Sequence, residues 1–441
     1  MKYDCFVKYS DTDLSIDQAY NWDSKELDKL SIEIERKDPS ALFVKGVLLD
    51  GAYLYKQAAN YYREAAEQSY APAEHYLALC YYMGDGVEES EDLCRYWMSK
   101  AAMDGDSSAA YFMGDHYDEG TGNSKPFCHQ DDEISTFWYY IGAKMGNKAC
   151  MNNLAVNLQQ GCCGHSLRTQ LLAKYWYNKA AVAGMSNAKK FIDDNPSWKL
   201  DYKTLCIVEN DILTHSTIRF GNYFINNKSK KEPIEWIVCE EDERKMVLIS
   251  KNALFNMKYT SKDDSSSGWE NSDIRKFLNK EFIKEAFNDQ EKEKLICQVS
   301  KNEINPVFET KMNVSTNDFV TIPSFFDLVE KLNMNEWGCR VVPASFACRF
   351  GESEFDEWWL RGISVAENAE RKFAQSMIVC DGNGHNFSTV NRTGKIDFLG
   401  YSGFWCSCGV RPMIIVKKDI AALHTKRSKI LDAIRGFFKK L

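Results

Sequence analysis

The sequence predicts a multidomain chain: an all-α solenoid of stacked helical hairpins, followed by an α+β domain. Three observations carry this. A block of two large residues and two small ones recurs four times, as Tyr61-Tyr62…Ala65-Ala66, Trp97-Met98…Ala101-Ala102, Trp138-Tyr139…Gly142-Ala143 and Trp176-Tyr177…Ala180-Ala181. The last Ala stands at 66, 102, 143 and 181, giving steps of 36, 41 and 38 residues. Self-similarity at that period is the mark of stacked helical repeats. From about Ile218 the texture changes to short β-branched and aromatic runs divided by polar turns, which is the pattern of strands.

Residues 1–40 are polar with apolar punctuation at Leu27, Leu30, Ile32 and Ile34, and predict capping helices that end near Asp38-Pro39. Residues 41–190 hold the repeats. The second copy is the cleanest. It runs from Ala73 through Tyr82, turns at Gly84-Asp85-Gly86-Val87, and continues from Leu93 to Ala102 and Gly105. Glycine at 84 and 86 breaks the helical spacing where two antiparallel helices must be joined. Ala101 and Ala102 allow neighbouring helices to approach, while Tyr96 and Trp97 fill the wider gaps.

Gly84-Asp85-Gly86-Val87…Trp97…Lys100-Ala101-Ala102…Gly105 resembles the Sel-1-like repeat, a relative of the tetratricopeptide repeat. The third copy carries the resemblance through Ala109, Gly114, Tyr117, Gly120, Gly122 and Ala143-Lys144…Gly146. The fourth carries it through Ala149, Leu154, Gly161, Tyr175-Trp176-Tyr177, Lys179-Ala180-Ala181 and Gly184. The first copy lacks a Gly-x-Gly turn, and the third and fourth have longer loops around Asn123–Glu133 and Cys162–Thr169. The resemblance implies a right-handed α-solenoid that serves as a protein-interaction scaffold.

Residues 191–217 form a linker. Asp193-Asp194-Asn195-Pro196 ends the last repeat helix, and Leu200–Leu213 predicts a connecting helix. Within 218–417, Arg219–Phe224, Ile234–Val238 and Met246–Ile249 read as a meander of strands. Ser272 is placed to cap a helix whose apolar residues recur every three to four positions. Phe325–Leu332 predicts a further helix, and Met377–Cys380, Asn386–Val390 and Val410–Val416 predict strands. Four motifs together resemble a bacterial domain family of unknown function: Ile234-Glu235-Trp236; Trp269…Ser272…Ile274-Arg275…Leu278-Asn279; Trp358-Trp359-Leu360-Arg361; and Gly409-Val410-Arg411-Pro412. That family is similar to the C-type-lectin-like fold of formylglycine-generating enzymes and of variable proteins from diversity-generating retroelements. Residues 418–441 read as a basic amphipathic helix.

Apolar residues make up 44% of the 441, enough for sizeable cores, and no run is long enough to span a membrane. The start lacks a secretory pattern, which predicts a cytoplasmic protein. Fifteen scattered cysteines in such a chain are expected to be reduced thiols acting as small hydrophobes. The net charge of −8 argues against nucleic acid as a partner.

Each candidate site has a plainer alternative. Cys406 and Cys408 invite comparison with the copper-binding pair of formylglycine-generating enzymes, but two thiols do not complete a typical site. Cys162-Cys163-Gly164-His165 lacks a second ligand pair at finger spacing, and Asp381–Asn386 reads as a hairpin turn rather than a calcium loop. Trp358, Trp359 and Arg361 form either an aromatic–cationic surface or a core cluster with Arg361 on Glu357 or Asp356, and Arg411 invites the same core reading. The stretch Asn391–Trp405 carries Arg392, Asp397, Tyr401, Ser402, Phe404 and Trp405. As a loop on a rigid scaffold it is a candidate ligand face. The basic tail is expected to dock on the protein itself, with an anionic membrane as the alternative.

No catalytic residue, cofactor or metal is assigned. The expected function is a non-catalytic scaffold that holds a protein partner on the solenoid through Tyr, Trp and acidic side chains, with a second ligand or partner at the C-terminal domain. The alternatives are a formylglycine-generating-type oxidase using the cysteine pair and a diversified lectin-like receptor.

Overall fold

The computed structural model describes residues 24–118, 130–162, 167–201, 204–205, 217–227, 229–241, 244–261, 269–300, 315–324, 327, 358–365, 386–390, 396–402 and 407–418. The chain divides into two compact units, Met1–Leu200 and Asp201–Leu441.

The described helices of the first unit are α1 (Ser24–Glu35), α2 (Pro39–Gly51), α3 (Tyr55–Ala66), α4 (Ala71–Met83), α5 (Glu91–Met103), α6 (Ser107–Tyr117), α7 (Asp132–Lys144), α8 (Lys148–Gln160), α9 (Leu167–Val182) and α10 (Ser186–Asp194). Each packs on the next, and α5 also meets α7, and α6 meets α8. Contact with both the first and the second neighbour is the mark of hairpins stacked in a line.

The turns between hairpins share one geometry. Lys37, Ser69, Gly105, Gly146 and Gly184 all take positive φ, and the last four stand three residues past the final Ala of their blocks. Glycine adopts this conformation without steric cost, while Lys37 and Ser69 carry a side chain there. The residue after this turn often caps the next helix. Asp38, Asp106 and Asn147 each accept two backbone N–H bonds from the first turn of α2, α6 and α8. Inside the hairpins, Gly84 and Gly86 turn between α4 and α5 as expected, both with positive φ. A Cβ at Gly86 would lie 2.3 Å from the Tyr55 carbonyl group, so only glycine fits. The first hairpin has no glycine at its turn, and Tyr53 takes positive φ instead.

The block residues form the core between these helices. Tyr62, Trp97, Trp138, Tyr139, Trp176 and Tyr177 are buried, as are Ala65, Ala66, Ala101, Ala102, Ala143 and Ala180. Each buried aromatic removes about 150–250 Å² from water, worth roughly 4–6 kcal/mol at about 25 cal/mol per Å². Large residues face small ones. A Cβ added at Gly46 would lie 2.5 Å from the Tyr62 ring, and one at Gly114 would lie 2.5 Å from the Tyr139 ring.

The second unit begins with the expected meander: β1 (Thr217–Asn227), β2 (Lys230–Glu241) and β3 (Lys245–Ser250), paired antiparallel in order. Further strands are β4 (Phe255–Lys258), β5 (Leu295–Ile296), β6 (Gln298–Ser300), β7 (Thr316–Asp318), β8 (Val320–Thr321), β9 (Trp358–Val365), β10 (Asn386–Val390), β11 (Ile396–Ser402), β12 (Ser407–Val410) and β13 (Met413–Lys417). One sheet has the order β1-β2-β3-β13-β5, with β8 also on β13; the other has the order β11-β10-β9-β12-β4; and β6 pairs with β7.

The helical segment comprises α11 (Asp273–Phe277), a π turn over Leu278–Phe282 and α12 (Ile283–Ala286). Ser272 caps it by accepting from Arg275 N, as the sequence predicts. Ile274, Leu278, Phe282 and Ala286 join Trp236, Leu248, Ile414 and Val320 in one core.

Val410–Val416 is not one strand. The chain leaves β12 in one sheet and enters β13 in the other, and the step falls at Arg411-Pro412. Proline has no N–H for a ladder. β3 and β4 make the same change of sheet beside it, β3 pairing with β13 and β4 with β12. Arg411 is fully buried at this double crossing. It donates to the Ser250 carbonyl at 3.0 Å and the Lys251 carbonyl at 3.3 Å, while Ser250 N donates to the Pro412 carbonyl. The buried arginine expected here thus serves backbone carbonyls at the crossing.

Of the helix expected at Phe325–Leu332, only Asp327 is described, and it is helical. Met377–Cys380, Asp381–Asn386 apart from its last residue, Glu357, Asp356 and the tail from 419 onward lie outside the described residues.

Candidate functional site

Tyr96 and Trp97 are buried between helices, as the sequence predicts, and so are Tyr62, Trp138, Tyr139, Tyr140, Tyr175, Trp176 and Tyr177, which leaves other aromatics for the solenoid surface. The aromatics left partly exposed include Tyr76, Tyr82, Tyr111 and Phe112, on the first helix of a hairpin. Tyr82 meets Phe112 edge-on at 5.5 Å across α4 and α6, and Phe112 lies 4.0 Å from the His116 ring.

Polar clamps tie the hairpins together. His75 Nδ1 and Asp106 Oδ2 are 2.8 Å apart, joining α4 to the cap of α6. Burial acts to raise Asp106, but His75 and the Ser108 and Ala109 amides outweigh it and hold the carboxyl below its ordinary value. Glu74, fully buried in α4, pairs with Lys100 of α5, which also donates to Ser69 Oγ at 3.0 Å. Burial pushes the Glu74 carboxyl up to about 7 despite the pull of Lys100. Glu74 Oε2 is buried without a hydrogen-bond partner. A carboxylate so enclosed and paired with Lys100 acts as a structural clamp between α4 and α5. Cys162 Sγ lies 3.6 Å from Asp132 Oδ2, and Cys163, Gly164 and His165 lie outside the described residues. No group of three or more His, Cys, Asp or Glu suited to a metal occurs among the described residues.

In the second unit, the motif residues hold the fold. Asp318 is the hub: Trp269 Nε1 donates to it at 3.0 Å, Arg275 Nε at 2.7 Å and Thr316 Oγ1 at 2.5 Å. Asn279, inside the π turn, donates to the Val320 carbonyl at 2.8 Å and accepts from the Phe319 and Val320 amides. Trp236 Nε1 donates to the Phe220 carbonyl. Sequence reasoning singled out Trp269, Arg275 and Asn279 but missed Asp318. It lies 43 residues after Arg275, and a lone Asp in Thr-Asn-Asp carries no signal of its own.

The four described residues of the proposed ligand face fall on one sheet. Trp358 and Arg361 are on β9, Asp397 and Tyr401 on β11, and β10 runs between them. Thr389 of β10 pairs with both Trp359 and Asp397, and Phe387 pairs with both Ile363 and Tyr401. The stretch 391–405 is therefore not one loop, because Ile396–Ser402 is a strand. Its β-branched and aromatic residues at 396, 398 and 401 suit a ladder. Arg392, Phe404 and Trp405 lie outside the described residues, as does Cys406. Cys408 pairs in register with Met257 of β4.

Residues 51–70, 71–106, 107–147 and 149–184 match the Sel1 repeat, and residues 243–418 match a family described as a domain of unknown function, DUF6273. No curated protein matches the chain. Among solved structures, the chain is similar to a Sel1 repeat protein from Oxalobacter formigenes, with 26% identity over 39% of this chain and 50% of that one at a TM-score of 0.34. It is also similar to c5321, a protective antigen present in uropathogenic Escherichia coli strains displaying an SLR fold, with 21% identity over 42% of this chain and 47% of that one at a TM-score of 0.30. The chain thus spans about half the length of each of these two proteins. The first unit carries four Sel1 repeats, and the second carries a sheet-containing domain of unknown function.

Proposed function

We propose that this protein is a non-catalytic scaffold whose repeat unit holds a protein partner and whose second unit recognises another ligand or protein. The observation that carries the reading is the run of four Sel1 repeats over 51–184, a family whose members generally mediate protein–protein interaction. The second unit would present its recognition surface on the β9–β10–β11 side of its sheet, where Trp358 and Arg361 of β9 and Asp397 and Tyr401 of β11 flank β10; Arg392, Phe404 and Trp405, outside the described residues, are proposed as further contacts. A C-type-lectin-like kinship for this unit is part of the proposal. The chain would work in the bacterial cytoplasm, a setting that suits Cys80, Cys94, Cys150 and Cys239, buried cysteines outside disulfides. No described helix is long and apolar enough to cross a membrane.

The test is cross-linking of the full-length protein in its native cells, followed by affinity capture and mass spectrometry. Partner cross-links to Lys56, Lys144, Lys148 or Lys189 support the scaffold role of the repeats. Cross-links confined to 218–417, or none, overturn it.

A further inference from the structure

The five large hydrophobic side chains exposed on the described part of the first unit are Ile32, Tyr53, Leu54, Met83 and Val182, and three of them flank two turns that touch. Tyr53 is 77% exposed, Leu54 45% and Met83 64%. Tyr53 and Leu54 form the turn before α3, and Met83 ends α4. The two turns touch: Gly86 packs against the Tyr55 backbone so closely that a Cβ would lie 2.3 Å from it. Tyr53 and Tyr55 stack edge-on at 6.1 Å. The stacking of hairpins therefore brings the turn that carries Tyr53 and Leu54 against the turn that follows Met83.

The sequence around these two turns is acidic. Residues 48–57 and 83–91 contain Asp50, Asp85, Glu88, Glu89 and Glu91 against a single cation, Lys56. Glu88 and Glu89 are exposed. Asp50 accepts from the Tyr62 hydroxyl, and its carboxyl is raised first by burial and further by the negative charge of Asp85. Two carboxylates that repel each other beside exposed apolar side chains are relieved by an incoming cation, and an anionic partner is repelled. A surface with both properties fits a segment that is apolar on one side and basic on the other.

We propose that the edge formed by Tyr53, Leu54 and Met83 docks a cationic amphipathic segment of the partner protein, with Asp50, Asp85 and Glu88 receiving its Lys or Arg side chains. The proposal rests on the scaffold reading and names the chemistry of its partner. The apolar trio supplies the contact area, and the carboxylates set the sign of charge and the salt dependence.

The test uses the full-length protein and three labelled synthetic probes: a Leu/Lys amphipathic peptide, its Leu/Glu counterpart and oligolysine, read by fluorescence anisotropy. The Leu/Lys peptide is expected to bind about tenfold or more tightly than either control. The variant Tyr53→Asn/Leu54→Ser/Met83→Gln is chosen to keep the fold, since Asn tolerates positive φ and Ser can cap α3. It should weaken Leu/Lys binding about tenfold with an unchanged thermal transition. Glu88→Lys, at an exposed position, should weaken it independently and flatten its salt dependence. Equal binding of the Leu/Glu peptide, or unaltered Leu/Lys binding by both variants, overturns the proposal. Native partner cross-links to the repeats that persist in the triple variant would remove this surface yet leave the scaffold reading standing. Their absence from the wild type would defeat that reading itself.

Discussion

At the scale of single residues, Glu74 and Asp318 show how burial changes what a carboxylate does. Glu74 occupies a helix position that holds Leu42 in α2, Ala110 in α6 and Met151 in α8, counted from the residue before each helix. The equivalent residue of α10, Lys189, is exposed, so the exception in α4 is a charge that is buried, and Lys100 is its partner. The folded carboxyl keeps its proton to about pH 7, against an ordinary value of 4.5. A raised folded value stabilises the fold fully below about pH 4.5, and that contribution is lost as the pH rises through 7. The shift corresponds to something on the order of 3 kcal/mol. Urea midpoints should therefore fall between pH 4.5 and 7 in the wild type, and Glu74→Gln should flatten that fall. A wild-type slope that survives in Glu74→Gln would place the titrating group elsewhere. Asp318 is the opposite case, a buried carboxylate surrounded by donors. Asp318→Asn weakens the bonds from Arg275 and Trp269 together and should cost about 2–3 kcal/mol by chemical denaturation. The exposed control Asp289→Asn should shift the midpoint by less than about 0.5 kcal/mol.

At the scale of elements, the repeat shows size compensation between helices. The third small residue pair differs from the others. Its block has Gly142 where the others have Ala65, Ala101 and Ala180, and the facing position in the next helix has Cys150 where the others have Ala73, Ala109 and Ala188. All of these except Gly142 are fully buried apolar residues, and Gly142 is itself buried. A Cβ on Gly142 would stand 2.3 Å from Cys150 Sγ, so Gly/Cys replaces Ala/Ala at nearly constant volume. Gly142→Ala should therefore destabilise by about 1–3 kcal/mol even though Ala favours helix. Cys150→Ala alone should cost about 1 kcal/mol through the space it opens. The double substitution should return the urea midpoint close to wild type, a coupling that a double-mutant cycle reads directly. If the two losses simply add, the compensation is absent.

This pair also shows where the sequence was legible. The Gly-Ala variant of the block was visible at once, as were the period, the glycine turns and the Ser272 cap, because each depends on residues near one another in the chain. The crossing of β12 into β13 was not. Val410 through Val416 reads as one continuous apolar run, and only the partner strands β3 and β4, some 160 residues earlier, show that it belongs to two sheets. A shorter separation, 43 residues from Arg275 and 49 from Trp269, likewise hid Asp318 from its partners. Position in a loop was misjudged at Ile396–Ser402 because alternation with Gly400 and Ser402 resembled recognition-loop composition more than a strand.

At the scale of the whole molecule, the distribution of thiols links composition to fold. Fifteen cysteines in one chain invite disulfide, metal or catalytic readings, each of which requires sulfur atoms that meet one another or a reagent. Among the described residues, Cys80, Cys94, Cys150 and Cys239 are buried, Cys162 is half-buried and Cys297 is exposed; these six form no disulfide. Burial, aided by the negative charge of Asp50 and Asp85, pushes the Cys80 thiol up to about 12. Cys162 is pushed to about 11, by burial and by Asp132. Such thiols are almost wholly protonated near neutral pH and are poor nucleophiles there. They fill space between helices and strands as small apolar side chains. Maleimide applied to the native protein near neutral pH should therefore modify Cys297 rapidly and Cys162 slowly, leaving Cys80, Cys94, Cys150 and Cys239 intact. All six should react once denaturant is added. Mass mapping of the labelled peptides reads both stages. Rapid native labelling of Cys80 or Cys150 would mean that the helix stack opens around α4 or α8, and that the repeats lack the continuous core on which a scaffold depends.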